Sequence, residues 1–295
     1  MSIPNEYSKC SLCNRMCLVD RASGMLGFCS SSAVPHVTRA ALHKWEEPII
    51  SGTRGSGTIF FSGCSLGCIF CQNYKISRAE CGRAVSIAEL SDIMLDLKAQ
   101  GAHNINFVTP THHSPSVALA IDEARRRGLD LPIVYNTGGY DTPTSLKALE
   151  GRVDVFLPDF KYYKPKTAEM YAGVLDYPDR VREAIAEMVR QRPRPRVDDG
   201  IMHEGVIVRI LLLPAHVAEA KLTLKYLYET YGNNVYISLM SQYTPMEGMM
   251  SPLDRRVTND EYNELVSYAE RIGVVNAFIQ CRDSSGVEYI PEWFL

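Results

Sequence analysis

No stretch of this chain stays apolar for the roughly 18 residues that a membrane crossing takes; the run at 206–214 is broken by Arg209. The first residues, MSIPNEYSKC, have neither the basic start nor the apolar block of a secretory leader. Charge of one sign is also scarce. Thirty-one Lys and Arg stand against 34 Asp and Glu in 295 residues, a formal −3, which is not the basic excess of a nucleic-acid binder. Internal repeats and low-complexity tracts are missing. A composition of 46% hydrophobic and 22% charged residues excludes global disorder and collagen-like repeats. The expectation is a soluble, cytoplasmic globular protein with no membrane and no nucleic-acid partner. Its length suits two small domains or one barrel-sized unit.

Cysteine is where the sequence is rich. There are nine, at 10, 13, 17, 29, 64, 68, 71, 81 and 281, and seven of them fall in the first quarter. A secreted disulfide framework is normally even-numbered and built into a much shorter chain, so this spacing reads as metal or redox chemistry.

Two regions differ in texture. Residues 1–56 form a Cys-rich segment with little apolar periodicity, and residues 57–295 alternate between strand and helix signals. Strands are expected at 58–62, 105–108, 132–136, 153–157, 206–213 and 235–240, with a last one at 274–279. Helices are expected at 86–101, 115–127, 144–149, 180–191, 216–231 and 258–272, two of them opened by capping boxes, Ser86 with Glu89 and Thr258 with Glu261. The Pro/Arg-rich 192–199 stretch reads as an exposed loop. Six βα units imply an α/β fold with parallel strands and helical crossovers. An open doubly wound sheet and a complete or partial barrel both fit, and in either the chemistry gathers beyond the C-terminal strand ends. There the sequence places Cys64, then Thr109 to His113, Asn136 to Gly139, Asp159 and Lys161, His216, and Ser241 to Tyr243.

The segment Gly63-Cys64-Ser65-Leu66-Gly67-Cys68-Ile69-Phe70-Cys71 puts three thiols within eight residues, directly after a strand. Thiolates are soft enough to hold iron–sulfur clusters, and two glycines permit a tight loop. Three protein ligands would leave one iron of a four-iron cluster open. Half of a zinc site, or three core cysteines, are the bland alternatives.

The two gaps, with an aromatic before the last cysteine, resemble the signature of the radical S-adenosylmethionine (SAM) superfamily. The resemblance implies a 4Fe–4S cluster on Cys64, Cys68 and Cys71, SAM on the open iron, and Phe70 against the adenine. It also implies one-electron cleavage of SAM to a 5′-deoxyadenosyl radical that abstracts hydrogen, on a partial (β/α)6 TIM-like barrel. An external reductant such as flavodoxin or ferredoxin would supply the electron. Asn136-Thr137-Gly138-Gly139, Asp159-Phe160-Lys161 and Arg209 resemble segments of pyruvate formate-lyase activating enzymes, where the equivalent residues surround the methionine end of SAM. The stretch from His43 to Asn73 resembles an uncharacterised iron–sulfur branch like those enzymes. Two departures stand out. Thr109-Pro110-Thr111 replaces the Gly-Gly-Glu segment that holds the SAM amino group in many members, and Asn136 replaces an aspartate. A protein or peptide substrate is one expectation and a small molecule the other. The rival class is a non-enzymatic iron–sulfur or zinc protein.

Cys10, Cys13, Cys17 and Cys29 read as a second metal site, for zinc or a second iron–sulfur cluster, because so short a segment needs a staple. Cys81 and Cys281 read as free buried thiols. His112 and His113 read either as substrate-facing or as structural. The methionine-rich loop 245–252 reads as a flexible lid or a contact loop, and Trp45 and Trp293 as packing residues.

Overall fold

The computed structural model describes residues 3–280; Cys281 and Trp293 lie outside them. After a thiol-rich segment, the chain forms β1 (His36–His43), α1 (Pro48–Ser51), β2 (Ser56–Phe61), α2 (Tyr74–Ser77) and β3 (Arg83–Ala84). Strand and helix then alternate: α3 (Ile87–Ala99), β4 (Ile105–Val108), α4 (Ser114–Arg126), β5 (Ile133–Thr137), α5 (Pro143–Lys147) and β6 (Val155–Pro158). Two helices follow, α6 (Pro165–Ala172) and α7 (Tyr177–Gln191), and then a hairpin of β7 (Arg196–Asp198) with β8 (Ile201–Leu211). The series closes with α8 (Val217–Tyr231), β9 (Tyr236–Met240), α9 (Asn259–Ile272) and β10 (Ala277–Ile279). Among the described residues no helix is long and apolar enough to cross a membrane.

Sheet order decides between the two architectures. The path runs β10-β9-β8-β6-β5-β4-β2-β1-β3, and from β2 to β10 every neighbouring pair is parallel. Strands therefore follow one another in chain order, without the reversal that defines a doubly wound sheet. Among the described residues β10 pairs only with β9, so the sheet curves into a barrel that does not close. The fold is α/β, a TIM-like partial barrel.

β1 runs antiparallel to β2, with His43 opposite Ser56. The link between them, carrying α1, therefore lies at the N-terminal end of the barrel strands. Ile50 of α1 packs there with Val134, Val155, Leu157, Met202 and Ile207 as a small apolar cluster separate from the main core. The loop after β2 leaves at the opposite end.

Two elements depart from expectation. The 192–199 stretch is not all loop, because β7 pairs antiparallel with an early extension of β8. Asp199 and Gly200, with φ of 51° and 75°, form the turn, and both positive angles suit a tight hairpin. Within the long connection after β6, α6 starts on Pro165 and stops at Gly173, whose φ is 63°. Its buried Ala168, Tyr171 and Ala172 give too short a period to stand out beside the lysines.

Both capping boxes form. Glu261 at the start of α9 also accepts from the Ala215 backbone N–H at 2.7 Å and pairs with Arg255 at 2.8 Å. Thr258→Ala is expected to lower stability by about 1 kcal/mol, read as a shifted denaturant midpoint at unchanged slope.

Candidate active site

Side chains of the parallel strands alternate between the helix layer and the lumen. In β8, Val206, Val208 and Ile210 join the core under the helices, whereas Arg209 and Leu211 line the lumen. The same period turns Asn136 of β5 and Ser238 and Met240 of β9 inward, with Asp159 just beyond β6. Asp159 bridges to Arg209, which stands opposite Ser238. Together these elements enclose a cavity of about 930 Å³, the size of a small-molecule site.

Cys64, Cys68 and Cys71 lie in the loop after β2 as free thiols, and all three line this cavity. Gly63 enters the loop at φ 89°, where a Cβ would stand 2.4 Å from the Cys29 carbonyl oxygen. Gly67 follows at φ 60°. Every sulfur has a donor. The Leu66 N–H reaches Cys64 Sγ at 3.4 Å, the Tyr162 hydroxyl reaches Cys68 Sγ at 3.0 Å, and the Asn73 backbone serves Cys71. Burial pushes the Cys68 thiol up to about 12 and raises Cys71 too, while the Lys161 ammonium draws both down. Among the described residues no three His, Cys, Asp or Glu side chains converge on one metal ion. Hydrogen-bonded thiols spread around a loop suit a polynuclear iron–sulfur cluster, in which each sulfur takes its own metal. Phe70 lines the same wall, edge-on to Tyr162, Tyr171 and Tyr243 at 5.8–6.3 Å. Gln72 ties the loop to the far side through the Gln242 carbonyl at 2.8 Å.

Next to the thiols is a buried charge network. Arg209 donates through Nε to Asp159 Oδ1 at 2.7 Å, through Nη1 to Glu46 Oε2 at 3.3 Å and through Nη2 to Asn136 Oδ1 at 2.5 Å. Lys161 Nζ takes the other Asp159 oxygen at 2.5 Å. Glu46 Oε1 accepts from Asn106 at 3.3 Å and Asn136 at 3.2 Å. Burial alone would raise Asp159, but Arg209 and Lys161 outweigh it and hold the carboxyl below its usual range. For Glu46 and Glu47 burial prevails over Arg209, and both are pushed up. Thr137 is bound to a buried carboxylate, Asp141 Oδ2, at 2.5 Å and supports the wall.

The structure thus brings Cys64, Cys68, Cys71, Phe70, Thr109, Asn136, Thr137, Asp159, Lys161 and Arg209 to one cavity. Sequence reasoning missed Glu46, Glu47 and Ser238, which share it. The available signal for Ser238 was a polar residue at an inward position of an otherwise apolar strand. His112 and His113 do not line the cavity. They are fully buried, 4.4 Å apart, and burial lowers His112 to about 3. Trp45 lines the cavity and is 62% exposed, so it is not a buried core residue. Cys81 is a free thiol but only half-buried. No residue of the 245–252 loop lines the cavity among those described.

The thiols of Cys10, Cys13, Cys17 and Cys29 are free and share one neighbourhood. Burial pushes the Cys13 thiol up, and the Cys29, Cys10 and Cys17 sulfurs add to it. A Cβ on Gly27 would lie 3.5 Å from Cys17 Sγ and 3.7 Å from Cys29 Sγ. Arg21 donates to Cys10 Sγ at 3.5 Å, and the Phe28 N–H donates to Cys17 Sγ at 3.4 Å. This segment packs on the loop of the other three thiols. Arg15 donates to the Ser65 carbonyl at 2.8 Å and the Leu66 carbonyl at 3.0 Å, with its guanidinium 3.5 Å over the Phe28 ring.

Comparison with known proteins agrees with this geometry. The family model described as the Radical SAM superfamily matches residues 58–210, just over half of the 295 residues. The uncharacterized protein MJ0674 of Methanocaldococcus jannaschii is 28% identical over 278 residues, covering 90% of this chain and 76% of that one. Among solved structures, anSMEcpe with bound AdoMet and Kp18Cys peptide superposes with a TM-score of 0.51 at 12% identity, over 72% of this chain and 57% of that one. Streptococcus suis SuiB bound to S-adenosylmethionine gives 0.53 at 12% identity, over 74% of this chain and 48% of that one. Methylornithine synthase (PylB) gives 0.50 at 18% identity, over 72% and 61%. The chain therefore spans about half to three-fifths of the solved chains it resembles, and that likeness concerns the fold.

Proposed function

Because the chain belongs to the radical SAM superfamily, we propose that it is an enzyme whose cavity binds a 4Fe–4S cluster on Cys64, Cys68 and Cys71 together with SAM. The observation that carries this reading is the convergence of three free, individually hydrogen-bonded thiols and the Asp159–Arg209 network on one enclosed space. When bound, the pair supplies one-electron reductive cleavage of SAM, which starts hydrogen-atom abstraction. The protein contributes binding, orientation and exclusion of water. Cys64, Cys68 and Cys71 would hold the cluster through their three thiolates. Asn136, Thr137, Asp159, Lys161 and Arg209, with Thr109, offer charged and polar groups to the methionine end of SAM, and Phe70 offers a flat apolar wall. An external one-electron donor such as flavodoxin or ferredoxin is the expected partner.

An activating-enzyme-like reaction on a protein or peptide is the preferred form of this reading. Two similar folds, anSMEcpe and SuiB, have been solved with bound peptides, and among the described residues the barrel is open beside β10, which offers a side entrance for a chain. A small-molecule substrate is the second form. The N-terminal cysteines 10, 13, 17 and 29 form a further metal site, for a second iron–sulfur cluster or zinc, seated against the loop of the first.

The test is direct. Anaerobically reconstituted protein, given dithionite and SAM, is expected to release 5′-deoxyadenosine and methionine. Absence of 5′-deoxyadenosine from protein with full iron and sulfide loading would overturn the proposal.

A further inference from the structure

Buried acids outnumber buried cations along the lumen. Three buried carboxylates, Glu46, Glu47 and Asp159, face two buried cations, Arg209 and Lys161. Both cations are already engaged. Arg209 spends Nε, Nη1 and Nη2 on Asp159, Glu46 and Asn136, and Lys161 is held by Asp159. Glu47 is 8% exposed, lines the cavity, and has Oε2 without a hydrogen-bond partner among the described residues. Close by, Asn106 donates to Glu46 through Nδ2 and leaves its own Oδ1 unpartnered. Of these two atoms only Glu47 Oε2 belongs to a residue that lines the cavity, and it asks for a donor, since an unpaired buried polar atom costs free energy.

Location separates this spot from the cofactor. Glu47 sits in the link between β1 and β2, at the N-terminal end of the strands, whereas the three thiols leave the C-terminal end of β2. Pro48 at the first position of α1 restricts the backbone beside Glu47, and Ile50 one turn on is fully buried beneath it. The carboxylate is therefore held next to a proline-started helical turn packed under the N-terminal strand ends, at the barrel floor.

We propose that this floor recognises an alkylammonium group of the substrate, with Glu47 Oε2 as its acceptor. The assignment rests on the reading of the cavity as the reaction chamber and adds its substrate class. Such a group is supplied equally by a lysine side chain of a polypeptide and by a free amine, and either reaches the floor as a slender cationic arm. An ammonium gives Glu47 Oε2 a charge-assisted bond that neither Arg209 nor Lys161 makes to it among the described residues. Glu47 is then a specificity-determining residue.

Ligand-detected NMR titration of the reconstituted full chain with butylammonium, 1-butanol and acetyl-Gly-Lys-Gly-amide tests this without turnover. Butylammonium is expected to bind about tenfold more tightly than 1-butanol, and Glu47→Gln to remove that preference. Glu47→Gln keeps the side chain's size and exchanges a buried carboxyl for a neutral amide, so it is expected to fold, and the two-probe comparison in the unmodified protein needs no variant. Binding of the lysine peptide at or above butylammonium marks a polypeptide source; exclusion of the peptide with retention of butylammonium marks a small amine, and both support the site. Equal binding of ammonium and alcohol, or an unchanged preference in Glu47→Gln, overturns it. So does a matching loss of SAM affinity in Glu47→Gln, which would give the carboxylate to the cofactor. Failure of SAM cleavage, by contrast, counts against the radical reading and leaves these probe affinities standing.

Discussion

Replacing Cys64, Cys68 and Cys71 together with alanine is expected to abolish 5′-deoxyadenosine formation and to remove one cluster's worth of iron and sulfide. The expectation follows from the loop's construction. Each sulfur faces the cavity and has its own N–H or O–H donor, so the protein has already provided for three negative charges there. Among the described residues no group of three His, Cys, Asp or Glu side chains converges on a single ion, so no ready-made substitute site stands by. The fold itself should survive, because Cys64 and Cys71 are only partly buried against the core. Far-UV circular dichroism is therefore expected to match the parent. Any metal on Cys10, Cys13, Cys17 and Cys29 is expected to stay, since the contacts of that segment with the loop go to the Ser65 and Leu66 backbone carbonyls, which the substitutions leave in place. The converse variant, alanine at those four positions, is expected to keep SAM cleavage in the loaded trio and lose the remaining metal. A triple variant that still cleaves SAM would show the ligand assignment to be wrong.

What the sequence made legible was local. The gaps between Cys64, Cys68 and Cys71 fit within one loop, and the apolar runs of the parallel strands follow directly from burial on both faces. Chain order of strands then needed only the rule that βα units cross over on one side. Glu46 and Glu47 were hidden because their meaning is not local. Trp45-Glu46-Glu47-Pro48 looks like a solvated charged turn until β1 pairs antiparallel with β2 and carries it under the barrel. For His112 and His113 the sequence left a substrate-facing and a structural role open. Their residue type suggests chemistry, yet His112 Nε2 is bound to the Ser62 carbonyl at 2.7 Å and His113 lies 5.7 Å from the Phe61 ring, so both belong to the core. Side-chain direction within a strand, which separates Arg209 from its apolar neighbours, becomes visible only once the lumen exists.

Arg209→Met is expected to cost about 3–5 kcal/mol of stability at neutral pH, the usual penalty for removing one partner of a buried ion network. Methionine fills much of the arginine stem's volume, so packing contributes little. The loss is electrostatic. Arg209 is the guanidinium between Asp159, Glu46 and Asn136, with side-chain exposures of 12%, 17% and 9% for Arg209, Asp159 and Glu46. Without it, Asp159 keeps only Lys161, and Glu46 keeps only two amide donors. The pH dependence has a definite sign. In the parent, Asp159 sits below its usual range, so its contribution is present above the ordinary carboxylate pKa and fades as pH falls. Glu46 and Glu47 sit above theirs, so they favour the folded state when protonated and oppose it as pH rises through their raised values. Removing Arg209 moves all three carboxyls upward. The destabilisation should therefore be largest at alkaline pH and shrink toward pH 5 or so, as protonation relieves the repulsion. Denaturant midpoints of parent and variant across that range read the effect. Adding Glu46→Gln to Arg209→Met should recover part of the loss, whereas Glu46→Gln alone should change stability little, because it trades a costly buried charge for a neutral amide. A pH-independent loss, or no rescue by Glu46→Gln, would mean that Arg209 supports the barrel by packing and that the lumen charges are not coupled through it.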